Sequence, residues 1–269
     1  MKQYFIYVLV LIIEFNLSAQ INEVEIDTHP LTNKSLFVGE DLTYVVKYAF
    51  LNLGEVRFRV LEQTKINNTL VYKTIANIDS YPDLPFVSLH QIYESYIDSS
   101  LFPKKFFAKI FGEDTVFVHY KFIGKSEIDI QKGKVGRSKL WLDTTAYSHQ
   151  RTQDGLSILY FARMNFGKNQ NLVVPCFINE KEEKATLNYY SDSVPISIDS
   201  VDYDIDCRYL EGYTEFVSVY GLTGNFKGWF SNDIYSVPIR AKMNIIIGSI
   251  NLELIKWNEI IWNPPLFKN

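Results

Sequence analysis

A chain of 269 residues with 47% hydrophobic side chains can bury a sizeable core, and its 15% aromatic content is carried by 18 Tyr and 19 Phe rather than by its 4 Trp. Such residues suit the half-buried face of a pleated sheet, so the composition favours β structure. The formal net charge is −4 with Lys and Arg spread along the chain, which leaves no basic stripe and excludes a nucleic-acid partner.

In chain order, residues 1–19 have the form of a signal peptide: Lys2, an apolar run from Tyr4 to Ile13, then Leu17-Ser18-Ala19 with cleavage expected before Gln20. The apolar run is far shorter than the ~20 residues that span a bilayer. No cysteine stands at the cut site. The expectation is an exported periplasmic protein, not a lipoprotein, with no transmembrane segment in the mature chain. Residues 20–36 read as an extended lead-in and 37–269 as a single β-rich domain.

Leu42, Tyr44, Val46 and Tyr48 alternate with Thr43, Val45 and Lys47. After a predicted loop at Leu51–Gly54, Val56, Phe58 and Val60 alternate with Glu55, Arg57 and Arg59, the clearest period-two signal in the chain. Asn67-Asn68 reads as a turn, strands are expected at 69–78, 88–97, 115–122 and, interrupted by Pro175, at 171–178, and 101–110 reads as an apolar and basic stretch broken by Pro103. Lys132-Gly133-Lys134 and Lys181–Lys184 read as turns, and Asn244–Lys256 as one long strand. A single helix is expected near 154–164, with Leu156, Leu159, Tyr160 and Arg163 at helical spacing and Asp154 placed to cap it. The fold class is therefore mainly β: a curved antiparallel sheet, barrel-like or half-barrel, with one packed α-helix.

Three motifs in order carry a family likeness. They are Gly39-Glu40-x-Leu42-x-Tyr44 with Tyr48 and Gly54-Glu55; Asp154-x-Leu156-Ser157-x-Leu159-Tyr160-x-x-Arg163; and Gly228-Trp229-Phe230-Ser231-x-Asp233 with Val237-Pro238-Ile239, Lys242, Gly248-Ser249 and Glu253-Leu254. Over about residues 37–260 the chain resembles the DUF 3108 family of exported bacterial proteins. The resemblance implies a β-rich, barrel-like exported protein and supplies no reaction, cofactor or catalytic residue. The Ser-Ala-Gln end of the signal resembles those of exported Bacteroidota proteins.

No set of acid, base or metal-binding groups converges. Gly155-Leu156-Ser157-Ile158-Leu159 lacks the second glycine of a nucleophile elbow, and His29, His90, His119 and His149 have no metal-ligand spacing. Cys176 and Cys207 have two even expectations: a disulfide in an oxidising compartment, or two buried free thiols. Arg163 is expected to pair with a carboxylate such as Asp233 or Glu253.

The leading expectation is non-enzymatic binding of a lipid or other apolar or amphipathic envelope molecule in a concave sheet, with no cofactor. Tyr44, Phe58, Tyr120, Trp229 and Trp257 would line the concavity. Arg163 or Lys242 would hold an anionic head group at its mouth by charge-assisted hydrogen bonds. A rim-to-rim packed core is the competing expectation. The alternatives are a structural accessory that contacts an outer-membrane protein partner through an exposed apolar patch, and an envelope glycan hydrolase using Asp143, Asp154, Asp233 or Glu253.

Overall fold

The computed structural model describes residues 36–82, 84, 88–216, 223–244 and 248–268. The expected signal peptide, and the lead-in up to Ser35, lie outside the described residues.

The first arm of the chain is a meander of eight strands: β1 (Asp41–Tyr48), β2 (Leu51–Ile66), β3 (Thr69–Ser80), β4 (His90–Asp98), β5 (Pro103–Ile110), β6 (Val116–Ile123), β7 (Glu127–Lys134) and β8 (Leu140–Tyr147). The helix α1 (Ser157–Met164) follows. The second arm is β9 (Gln170–Ile178), β10 (Lys181–Ile196), β11 (Ile205–Thr214), β12 (Gly224–Ser231), β13 (Pro238–Asn244) and β14 (Ser249–Trp257). All fourteen strands form one antiparallel sheet in the order β8-β7-β6-β5-β4-β3-β2-β1-β14-β13-β12-β11-β10-β9. The two chain ends meet at the β1–β14 pair, and β8 and β9 are the edges, so the sheet is curved but not closed.

Alternation sets which face is buried. On β2, Val56, Phe58 and Val60 are buried, and Glu55, Arg57 and Arg59 project from the other side. The interior is built from such rows. Tyr44 packs edge-on against Phe58 at 5.7 Å. Tyr120 on β6 stacks on Phe106 at 5.4 Å and meets Phe177 on β9 at 5.2 Å, so the two arms touch through side chains. Close packing also dictates a glycine: a Cβ on Gly212 would lie 1.9 Å from the ring of Phe226, which occupies that place on the neighbouring strand.

The helix fills the space inside the curl. Tyr160, Phe161, Ala162, Arg163 and Met164 are all buried, whereas Ile158 and Leu159 are half-buried against the core. A helix buried on most sides belongs to the interior. Eight residues are too few to be helical in isolation, so packing holds it. Leu156 and Tyr160 take the deep positions expected of them, and Leu159 sits nearer the surface.

Several boundaries differ from the sequence expectation. Leu51–Gly54 is strand, and the turn is Ala49-Phe50, with Ala49 at φ 51. Lys132-Gly133-Lys134 lies inside β7, and Lys181–Lys184 opens β10 because Asn179 and Glu180 take the left-handed turn positions instead (φ 52 and 62). The 244–256 stretch divides into β13 and β14, which pair with each other from Arg240↔Glu253 to Asn244↔Ser249, next to Gly248 at φ 86. Pro175 does not interrupt β9, because an edge strand tolerates a missing donor.

The cysteines are free and buried. Cys176 faces Glu183 of β10 and Cys207 faces Val194 of the same strand. At ~3.4 Å per residue they stand tens of ångströms apart along it. A disulfide needs Cα atoms within about 7 Å. The expected disulfide is therefore corrected to two separate thiols, each pushed up by burial.

Candidate functional site

The start of α1 is fixed by a buried carboxylate. Asp154 Oδ1 accepts the backbone N–H of Leu156 (2.8 Å) and of Ser157 (2.7 Å), and Oδ2 accepts the hydroxyl of Ser95 on β4 (2.6 Å). Ser157 Oγ in return accepts the Asp154 N–H at 2.9 Å, a reciprocal cap of the capping-box kind. Ser157 is thus a capping group at 0% exposure rather than a nucleophile. Burial pushes the Asp154 carboxyl up to about 6, against the four hydrogen-bonding influences of Ser95, Leu156 and Ser157 that favour its charge.

The other end of α1 carries Arg163, which is 1% exposed. Its guanidinium is bidentate to Glu40, with Nη1 and Nη2 each 2.7 Å from a carboxylate oxygen. Nε and Nη2 also donate to the carbonyls of Ser236 and Tyr235, each at 3.2 Å. Desolvation opposes its charge, and the Glu40 carboxylate outweighs it, so the pKa rises. The expected pairing with Asp233 or Glu253 is corrected to Glu40. Glu253 is taken by Arg240 (2.8 Å) and Lys47 (3.1 Å), and Asp233 Oδ1 is taken by the amides of Tyr235 and Ser236 and the Ser231 hydroxyl. Tyr44 completes the junction by donating to the Pro238 carbonyl at 2.8 Å. The three sequence motifs therefore converge on one buried lock between the amino end, the helix and the β12–β13 turn.

Above the lock lies a shallow cleft at one pole of the molecule, lined by Asp41, Leu42, Tyr235, Trp257, Ile261 and Trp262, with Glu40 among its lining residues. It accommodates about 10 Å³, the space of a single water. The Trp257 and Trp262 rings are 6.2 Å apart at 74°. Val38, Ile234 and Ile260, chain neighbours of the cleft residues, are 48%, 56% and 96% exposed. A second cleft of about the same size is lined by Phe102, Phe122, Lys125, Ser148, Arg151 and Thr152 among others.

The predicted lining residues do not share one space. Tyr44, Phe58 and Tyr120 are buried among neighbours. Trp229 lies between Gly228 and Phe230 in sequence, and the Phe230 ring packs inward on Phe166 at 4.8 Å, so Trp229 faces the other side, its ring 5.4 Å from that of Tyr209 and tilted by 39°. Lys242 is exposed on its strand opposite Lys227 and Asn251. Of these, Trp257 lines the cleft above the lock. Arg163 lies beneath it, spent on Glu40. Sequence reasoning grouped Trp257 with Trp262 among aromatics that could line a concavity, and missed Tyr235 and the role of Glu40. Glu40 was visible in the first motif, but nothing in its spacing signals a partner 123 residues away.

The four candidate carboxylates are dispersed: Asp143 on edge strand β8 beside Gln131, Asp154 inside, Asp233 in the β12–β13 turn and Glu253 under Arg240. Among the described residues no His/Cys/Asp/Glu group has metal-binding geometry, and no helix is long and apolar enough to cross a membrane.

Comparison with known families matches residues 43–255 to the model described as "Protein of unknown function (DUF3108)". The chain belongs to this family. The matched range of the DUF3108 protein includes Arg163 and the Asp233 turn and stops short of Glu40, Trp257 and Trp262. No curated protein matches it. Among solved structures it is similar to one titled as a beta-barrel-like protein of domain of unknown function DUF1849 from Brucella abortus, at 10% identity and TM-score 0.52, over 81% of this chain and 96% of that one. That likeness shows the beta-barrel-like fold of the DUF3108 chain.

Proposed function

We propose that this DUF3108 protein is an exported, non-enzymatic interaction protein of the bacterial envelope, an accessory that docks a protein partner of an outer-membrane assembly through the pole around Trp257 and Trp262. The observation that carries this is the contrast between a filled interior and an apolar pole. The buried rings pack on one another and on α1, while Val38, Ile234 and Ile260, each within two residues in sequence of a residue lining an aromatic cleft, stay exposed. Exposed apolar groups around a small anchor pocket are the usual form of a protein-docking surface. The signal-like start with Lys2 and Leu17-Ser18-Ala19 supports a periplasmic address, and its Ser-Ala-Gln end supports a Bacteroidota source. The dispersal of Asp143, Asp154, Asp233 and Glu253 speaks against glycan hydrolysis, which needs two carboxyls about 5–10 Å apart across a cleft.

A second reading, an apolar or amphipathic envelope molecule, is favoured by the paired indoles of the same cleft. It would lie at the pole rather than within the sheet, with Trp257 as the contact kept from the expected lining.

The test is site-specific photo-crosslinking in native cells, with the reactive residue at Ile260 or, as control, at exposed Asn225. The expected outcome is a discrete adduct with one envelope protein at 260 and none at 225. Identical patterns at both positions would reject the pole. A lipid adduct at 260 without protein would select the second reading.

A further inference from the structure

The two edges of the sheet are finished differently. On β9 the half from Val174 to Ile178 is buried, and Pro175 withholds a backbone donor. Gln153 covers that half: its N–H donates to the Pro175 carbonyl and its carbonyl accepts the Phe177 N–H, each at 2.8 Å. The edge strand β8 has no such cover. Among the described residues, β7 is the strand it pairs with.

An open row of N–H and C=O groups is a template for another strand, and proteins blunt it with Lys, Pro, a bulge or a covering segment. Leu140–Tyr147 contains neither Lys nor Pro. A bulge falls at its start, where Leu140 faces Gly133 and Leu142 already faces Lys132, and leaves Leu142–Tyr147 in unbroken register with β7. Trp141 and Tyr147 are 53% and 72% exposed, and Asp143, Thr144 and Thr145 between them are exposed as well.

The residues of β8 specify the strand that fits beside it. Leu142, Thr144 and Ala146 lie opposite Lys132, Ile130 and Ile128 and so share the concave side, where both isoleucines are buried. Asp143, Thr145 and Tyr147 lie opposite Gln131, Asp129 and Glu127 on the convex side. A second copy related by a two-fold axis across the edge must pair residues of the same face, so its register centres on a residue. Centring on Asp143 sets this carboxylate against its own copy, and like charges directly opposite are destabilising. Centring on Leu142 or Thr145 shortens the overlap and sets Asp143 against Trp141 or Tyr147. Centring on Thr144 uses the whole stretch from Trp141 to Tyr147. It places Trp141 opposite Tyr147 at both ends, Leu142 opposite Ala146, and Asp143 opposite the neutral Thr145. Aromatic pairs directly across two strands are among the stabilising ones.

We propose that β8 is a self-association edge: a second copy of this chain adds its own β8 antiparallel to it, in the register centred on Thr144, so that the two sheets run on as one. This surface shares no residue with the docking pole and stands independently of it. A single strand pair is a small interface, so the dimer forms in a concentration-dependent way.

The experiment is disulfide trapping in the intact mature protein with diamide as the oxidant. Directly opposed residues have Cα atoms about 4.5–5.5 Å apart, within disulfide reach, whereas diagonal neighbours are about 7–8 Å apart. Thr144→Cys should give a linked dimer. Asp143→Cys and Thr145→Cys should give none alone and a linked dimer when mixed. Cys176 and Cys207 are buried, so the unsubstituted protein should stay unlinked. In sedimentation equilibrium, Trp141→Ser should weaken the dimer about ten-fold without lowering the melting temperature, since both aromatic pairs are lost. Absence of a linked dimer from both Thr144→Cys and the mixed variants would overturn the proposal. So would equal linking from Asp143→Cys alone, or from Asn225→Cys at an exposed position of β12. A link that appears only after residues 20–35 are removed would overturn it by showing that the chain covers its own edge. Photo-crosslinking from position 144 in native cells to a different envelope protein, with none to a second copy, would give the edge to a foreign strand and overturn self-pairing.

Discussion

The two ends of α1 bury opposite charges in opposite ways. At the amino end, Asp154 is held by neighbours in sequence, two backbone amides and Ser157, plus one hydroxyl from Ser95. Among the described residues no cation pairs with it, and burial pushes its carboxyl up to about 6. At the carboxyl end, Arg163 is held by a bidentate carboxylate from the start of the sheet and two carbonyls from the β12–β13 turn. The first arrangement is local and adjustable by a proton. The second joins three distant segments and stays charged. One end therefore defines where the helix begins, and the other fixes where it sits.

The largest effect should come from breaking the second arrangement. Arg163→Ala or Glu40→Ala leaves a buried charge without its partner and should cost about 3–5 kcal/mol in denaturant unfolding. A cost below about 1 kcal/mol would mean that the pair is not buried as described. On the helix itself, Leu156→Ala should cost about 2–5 kcal/mol, whereas Leu159→Ala, half-buried, should cost under about 2. Equal losses would contradict the orientation of α1.

The proton-dependent end is sharpened by Asp154→Asn, which keeps an acceptor for the two amides. The folded-state carboxyl titrates near 6 against 3.8 for the free group. Its contribution to stability is therefore complete below pH 3.8 and is lost as pH rises through 6, by about 3 kcal/mol in all. The melting temperature of the native protein should fall relative to Asp154→Asn between pH 4 and 7. Parallel curves would place Asp154 in a wetter site. Smallest of all, Ile260→Ser at the exposed pole should change stability by no more than about 0.5 kcal/mol, while removing the crosslinked partner if the pole is the docking surface.

Legibility followed the range of the interaction. Val56, Phe58 and Val60 announced their face through alternation alone, and Asp154 announced the helix start, because both signals lie within a few residues. The turn at Asn179-Glu180 was masked by the denser charge of Lys181–Lys184, which is solvated strand. Pairing of Arg163 with Glu40, and the approach of Tyr235 to the Trp257 cleft, depend on how a fourteen-strand sheet curls. No local pattern encodes that. The cysteines show the same limit: compartment chemistry made a disulfide reasonable, and strand register separates them. Titration of the unreduced, denatured protein should find two reactive thiols, and none would restore the bond.

The central claim is that Arg163 and Glu40 lock the helix inside the sheet and leave the function to the surface. A double-mutant cycle of Arg163→Met and Glu40→Leu tests it most directly. Each single variant should be strongly destabilised, the double variant much less than their sum, with a coupling of about 2 kcal/mol or more. A coupling below about 0.5 kcal/mol would show that the two side chains do not act as one buried pair, and would contradict the lock.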